Sequence, residues 1–309
     1  MYDVIGDIHG HADALKRLLA KIGYQPSDSG WSHPERKAIF VGDFVDRGPK
    51  QLETVCIARE MVCCGQALAV MGNHEFNAVS YATAHPEKPD QHLRKRTPNR
   101  IKDHEAFLNE VGEGTSLHRE LLEWFETLPL FLELEGLRIV HATWCPHSIN
   151  ALLPHLTPQN QLKPDAWLPA NTNGHQVFKA VENLIKGYEV ELPNGLQFQD
   201  QGGTWRNHAR LKWWEDRDLP LREAIILSGV DSVELPDEQI PASKFLGYDN
   251  LMPVLFGHYW WKGPIWPLND RVACLDYSVA DQQSPGHLVA YRWSGETKLS
   301  TTHFVSVAA

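Results

Sequence analysis

The chain has 309 residues, 42% apolar and 22% charged, which is enough for a sizeable core and excludes wholesale disorder. A formal net charge of −10 excludes a protein that coats nucleic acid through diffuse positive charge, so no stable nucleic-acid partner is expected. No run of about 18 apolar residues occurs, so no membrane-spanning helix is expected. Five cysteines without framework spacing point to reduced thiols in a cytoplasmic protein.

The sequence enters a strand at Tyr2 with no basic-then-apolar leader segment. After Tyr2 to Ile5, Leu15, Leu18, Leu19 and Ile22 recur at helical spacing and predict a helix over 11–22, stopped by Gly23. Ala38 to Val41 is the next strand. A helix over 51–64 follows, with Leu52, Val55, Cys56 and Arg59 on one face. Leu68 to Met71 is a third strand, with a helix from about residue 75. Strands alternating with helices imply a parallel sheet with crossover connections.

Residues 84–104 break the regularity with Pro86, Pro89 and Pro98. They carry Lys88, Arg94, Lys95, Arg96, Arg100 and Lys102, either as a lid that attracts a polyanion or as a solvated loop. The helical pattern resumes over 105–127, and Leu137 to Val140 is another strand. Residues 145–220 are loop-rich and Trp-rich. Strands are expected at Ala224 to Leu227, Val254 to Phe256, Val272 to Leu275 and Leu288 to Trp293. The whole reads as one domain over 1–309 with an insert at 84–118. Trp213-Trp214 and Trp260-Trp261, with Trp266, offer either core packing or a stacking surface.

Five signatures sit at strand ends: Gly6-Asp7-Ile8-His9-Gly10, Gly42-Asp43-Phe44-Val45-Asp46-Arg47-Gly48, Gly72-Asn73-His74-Glu75, His141 and Gly257-His258. Oxygen and imidazole ligands converging from several strand ends suit a two-metal hydrolase. Taken singly, each has a plainer use. Asp7 could cap the helix that follows, Asp46 and Arg47 could form a buried ion pair, and a lone His at a strand end is often structural. Asp276, in Leu275-Asp276-Tyr277, either supports a ligating His or shapes a turn. No cysteine is followed six residues on by Arg, and no Gly-x-x-x-x-Gly-Lys-[Ser/Thr] occurs. These absences exclude a cysteine-dependent phosphatase and a P-loop NTPase.

In this order the motifs resemble those of the calcineurin-like metallophosphoesterases, and within them the phosphoprotein phosphatase branch, with its bacterial serine/threonine phosphatases and related diadenosine tetraphosphatases. They span residues 6–258. The resemblance implies an α/β fold of two packed mixed β-sheets flanked by helices. It implies one divalent metal on Asp7, His9 and Asp43 and a second on Asp43, Asn73, His141 and His258. Manganese is the first expectation, with iron or zinc as alternatives. Arg47, with Asn73, would bind phosphate. Arg206 would be the second phosphate-binding Arg, or else a surface Arg stacked on Trp205. A hydroxide bridging the metals would attack phosphorus directly, and His74, oriented by Asp46, would protonate the leaving group. Two divalent ions against Asp7 and Asp43 leave the pocket at about +2 before Arg47 is added, so an acidic chain can still hold a phosphate.

The resemblance places a protein serine/threonine phosphatase first. The alternative is a dinucleoside polyphosphate hydrolase or another nucleotide phosphatase, and a non-catalytic scaffold for phosphorylated partners is a third reading. Glu75 and Asp46 lean towards the protein phosphatases, because the tetraphosphatase subgroup tends to carry Asp after Gly-Asn-His and often lacks the Asp before Arg-Gly. Nuclease-like members end in Gly-His-x-His. Here the last position is Trp260, which argues against a nuclease.

Overall fold

Strand Tyr2–Ile5 pairs in parallel with Lys37–Phe40, which pairs in parallel with Ala67–Ala69. Parallel neighbours need long crossovers, and helices Ala12–Lys21 and Gln51–Cys63 supply them. The computed structural model describes residues 1–28, 30–199, 205–226, 235–281, 283–284 and 286–309. On its other side Tyr2–Ile5 pairs antiparallel with His287–Trp293, which makes the sheet mixed. His287–Trp293 also pairs antiparallel with Asp276–Tyr277 and Phe304–Ala308.

A second sheet runs in the order Val272–Cys274, Val254–Phe256, Leu137–Val140, Phe131–Leu134, with only the last pair antiparallel. Successive side chains of a strand point to opposite faces, and that alternation assembles the layers. Val4, Ile39, Val41 and Val70 of the first sheet bury against Leu137, Ile139, Leu255 and Ala273 of the second. The sheets therefore pack face to face. Ile5, Ala38 and Phe40 point the other way and join the cluster that holds Leu15, Leu18 and Leu19 of the first helix.

Several elements depart from the sequence expectations. The buried face of Gln51–Cys63 is Thr54, Val55, Ala58 and Met61, not the Leu52-Cys56-Arg59 face. Cys63 and Cys64 are exposed at its end. Residues 84–104 are not irregular throughout: Ala84–His85 pairs with Lys88–His92, and a helix starts at Pro98. Pro98 occupies the first helical turn, where its missing N–H costs nothing. That helix ends at Val111 before Gly112, whose φ of 77° favours glycine, and Ser116–Glu126 follows. The expected single helix over 105–127 is thus two.

Residues 145–220 hold helices Pro146–Leu152 and Gln176–Lys186. Their tryptophans Trp167, Trp213 and Trp214 are core. Ala224 closes a short helix, Leu221–Ala224, before strand Ile225–Ile226, and Leu227 lies outside the described residues. No helix among the described residues is long and apolar enough to cross a membrane.

Candidate metal centre

Asp7 and His9 follow Tyr2–Ile5, Asp43 follows Lys37–Phe40, and Asn73 follows Ala67–Ala69. His141 follows Leu137–Val140 and His258 follows Val254–Phe256. Within each sheet these strands run parallel, so their C-terminal ends open on one edge, where ligands of open α/β sheets gather.

Asp43 stands at the middle. Its Oδ2 lies 3.6 Å from His9 Nε2 and 3.3 Å from His141 Nε2. Asn73 Oδ1 is 3.2 Å from His141 Nε2. Donor atoms of Asp43, His141 and His258 lie within 4.8 Å of one another, as do those of His9, Asp43 and His74. Two donor clusters that share one carboxylate are what a bridged pair of cations requires.

The imidazoles are aimed by their outer nitrogens. His9 Nδ1 donates to Val45 O at 2.9 Å, and His141 Nδ1 donates to Val41 O at 2.7 Å. A carbonyl only accepts, so each Nδ1 carries a proton and each Nε2 is the atom turned inward. Asp7 does not cap the first helix, which has no side-chain cap. Its Oδ2 accepts from His258 N at 2.9 Å. Three buried atoms, Asp7 Oδ1, His9 Nε2 and His258 Nε2, have no partner among the described residues. An unpartnered buried polar atom costs roughly 1–3 kcal/mol. All three lie on residues the sequence marks as candidate ligands, and a bound cation would satisfy them. Gly257 belongs to the same fit, because a Cβ there would stand 1.9 Å from Asp7 Oδ1.

Burial, and then the Asp276 carboxylate, push the Asp7 carboxyl well above its ordinary range, a state that a cation would relieve. Burial, and then His74, push His9 down to about 3. Burial, and then Arg210, hold His258 well below its usual value. Both rings are therefore neutral with lone pairs free, as ligation demands. Burial opposes a charge on His141, but the facing Asp43 raises it to about 10, so a cation binding at its Nε2 would have to displace a proton. The backbone is strained here too: His9, Asp43, Asp46, Arg47, His258 and Trp260 have φ between 47° and 76°. Non-glycine residues in that region cost on the order of 1 kcal/mol or more each and gather at functional sites.

Beside the ligands lies an acid–base pair. His74 opens helix Asn73–Ala82, and its N–H donates to Asp43 Oδ1 at 3.0 Å. Its Nδ1 lies 2.5 Å from Asp46 Oδ2, and its Nε2 is 4.0 Å from Asp43 Oδ2. Burial opposes protonation of His74, yet the Asp43 carboxylate and the Asp46 hydrogen bond raise its pKa. Asp46 makes no ion pair with Arg47. The exposed Arg47 guanidinium lies 4.4 Å over the Trp260 ring, so the residue in place of a further His carries an Arg instead. Asp276 accepts from Trp260 N at 2.6 Å and from Ser278 N at 3.0 Å, so it shapes that loop.

Arg206 stands exposed in a two-residue strand, Trp205–Arg206, paired with Phe198–Gln199. Gly202, Gly203 and Thr204 before it lie outside the described residues. Arg210, four residues on, is the largest charge acting on His258. The sequence reading also passed over His104, whose Nδ1 is 2.8 Å from Asp46 Oδ1. The available signal was its spacing: His104, Phe107 and Val111 form the buried face of helix Pro98–Val111.

Glu75 has a different part from the branch marker the sequence suggested. Fully buried, it accepts from Asp43 N at 2.9 Å and Gly72 N at 3.1 Å through Oε2, and from Phe44 N at 2.8 Å through Oε1. It braces the loops that carry Asp43 and Asn73. Glu75→Ala leaves three buried N–H groups unpaired at roughly 1–3 kcal/mol each, so the unfolding free energy in urea should fall by at least about 3 kcal/mol. A loss below about 1 kcal/mol would contradict the bracing role.

The profile of the family described as calcineurin-like phosphoesterase matches residues 2–259. The asymmetrical bis(5'-nucleosyl)-tetraphosphatase PrpE of Bacillus velezensis is 31% identical over 144 residues, covering 46% of this chain and 55% of its own. That of Bacillus subtilis is 32% identical over 133 residues, covering 42% and 51%. The chain thus spans about half the length of the curated relatives it matches. A protein serine/threonine phosphatase from Saccharomyces cerevisiae has a similar structure, with TM-score 0.51, 16% identity, and 99% of this chain and 78% of that one covered. At that identity the likeness speaks for the fold alone.

Proposed function

Because the chain belongs to the calcineurin-like phosphoesterases, and is thus a metal-dependent phosphoester hydrolase, we propose that its substrate is a nucleotide with a chain of phosphates, a dinucleoside tetraphosphate in the first instance. The observation that carries this reading is Arg94, a half-buried cation without an ion-pair partner among the described residues, beside Arg100. Burial, and then Arg100, lower Arg94 to about 10, against Glu182, Asp103 and then Asp46. Burial depresses Lys186, opposed by its ion-pair partner Glu182, and Arg94 and Arg100 add to the depression. Arg210 Nε donates to Lys186 O at 2.8 Å. Glu182 offsets Lys186 and Glu189, 3.8 Å away, offsets Arg210, which leaves Arg94 and Arg100 as the charge that suits a polyanion. The names of the Bacillus relatives support the same reading.

Two divalent cations on the six ligands would supply Lewis-acid charge and a water acidic enough to attack near neutral pH. Arg47, steadied by Trp260, holds the phosphoryl oxygens and offsets charge that develops on them. His74 donates the Nε2 proton to the departing oxygen while Asp46 accepts from Nδ1 and keeps the ring oriented.

A second reading, a phosphoserine or phosphothreonine protein substrate, is favoured by that same His74–Asp46 pair. A serine alkoxide needs a proton on departure far more than a phosphate does. Side-by-side turnover on diadenosine tetraphosphate, a phosphopeptide panel and a bis-aryl phosphodiester decides between them. The kcat/KM for diadenosine tetraphosphate should exceed the best phosphopeptide by roughly tenfold or more, a difference of about 1.4 kcal/mol. The reverse ratio overturns the nucleotide reading in favour of the second.

A further inference from the structure

We propose that His104 is a positioning residue for leaving-group protonation: it pins the second oxygen of Asp46 and so fixes the carboxylate plane that orients His74. The inference rests on the reading of His74 as the proton donor. Asp46 Oδ2 is 2.5 Å from His74 Nδ1, and Asp46 Oδ1 is 2.8 Å from His104 Nδ1. All three side chains are buried. An ionised carboxylate only accepts, so both Nδ1 atoms carry protons. The terminal torsion of an Asp is broad and nearly two-fold. Held at one oxygen, Asp46 could swing its plane away from His74, whereas two imidazole donors leave it one setting.

His104 is itself held firmly. Its ring packs 5.1 Å from Phe107 and 5.5 Å from Tyr81, centre to centre. The far end of the same helix is tied down by Glu110, which accepts from Gln51 N at 2.6 Å and Leu52 N at 3.0 Å. Gln51 Oε1 in turn accepts from Asp46 N at 2.6 Å. Helix Pro98–Val111 therefore meets the Asp46 loop at its side chain directly and at its backbone through Gln51. A packing role alone does not account for an imidazole here. His104 Nε2 is buried with no partner among the described residues, a cost that an aliphatic side chain on this face would avoid.

The test compares His104→Leu and His104→Phe, which remove the donor, with His104→Asn, whose amide can still donate to Asp46. Each is assayed on p-nitrophenyl phosphate and phenyl phosphate beside His74→Asn, with bound metal counted and folding checked by melting. Either donor-free variant that folds should lose turnover on phenyl phosphate roughly tenfold more than on p-nitrophenyl phosphate, because the poorer leaving group depends on the acid. Two metals per chain should remain, and His104→Asn should recover most of the loss. Equal losses on both substrates, or none, while His74→Asn discriminates between them, overturn the role of His104. If His74→Asn does not discriminate either, the donor assignment beneath it fails instead, and the inference with it.

Discussion

Replacing His74 by Asn should lower turnover on phenyl phosphate by roughly 10²–10⁴-fold, the usual worth of a positioned general acid, and leave metal content unchanged. The geometry separates this outcome from its rival. His74 Nε2 lies 4.0 Å from Asp43 Oδ2 and its ring centre 4.7 Å from that of His9, so the side chain borders one donor cluster. Its other nitrogen is committed to Asp46 at 2.5 Å. Its Nε2 is then the nitrogen that faces the cluster, so a proton there and a cation there are the two alternatives the variant separates. If His74 donates a proton, the Asn variant keeps its metals and loses most where the leaving group is poorest. If it is a ligand, metal and activity fall together on every substrate.

Asp43→Asn should cost more and of a different kind. The amide keeps the shape of the side chain, and its oxygen can still accept from His74 N, now 3.0 Å from Asp43 Oδ1. What disappears is the negative charge shared between the clusters of His9 and His141. A bridging anion lost from a two-cation site forfeits several kcal/mol of charge stabilisation, and about 4 kcal/mol corresponds to roughly 10³ in rate. Turnover should fall by at least that factor on good and poor leaving groups alike, and bound metal should drop to one ion per chain or fewer. Asp43→Asn with full metal content and a small rate loss would remove Asp43 from the centre.

The strand ends were the most legible part of the sequence. An apolar run closed by Gly and a polar residue marks a parallel strand that delivers its last side chain to one edge; His9, Asp43, His141 and His258 fall in two donor clusters there, with Asn73 Oδ1 3.2 Å from His141 Nε2 and Asp7 Oδ2 2.9 Å from His258 N. Glycine tightness was readable in kind but not in cause: Gly42 has φ 99° and its absent Cβ would meet Gly72 N at 2.4 Å, a contact between two loops distant in sequence. The segment over 84–118 was harder because Pro98 has two opposite meanings. It was read as a breaker and is a helix start, which moved the apolar register and hid His104. The bracing role of Glu75 was hidden for another reason. Its partners Asp43 N and Phe44 N belong to a loop brought close only by folding, and no spacing pattern announces such a contact. Trp260 was legible as a missing ligand but not as the ring beneath Arg47, since a cation–π contact leaves no spacing pattern.

The central claim is that these six side chains hold two catalytic cations. Metal analysis of the manganese-loaded protein, beside its turnover of p-nitrophenyl phosphate before and after chelation, tests it most directly. A two-metal centre predicts two ions per chain, activity that falls to background as they are withdrawn, and recovery when manganese returns. Turnover that survives in protein stripped of metal would contradict it.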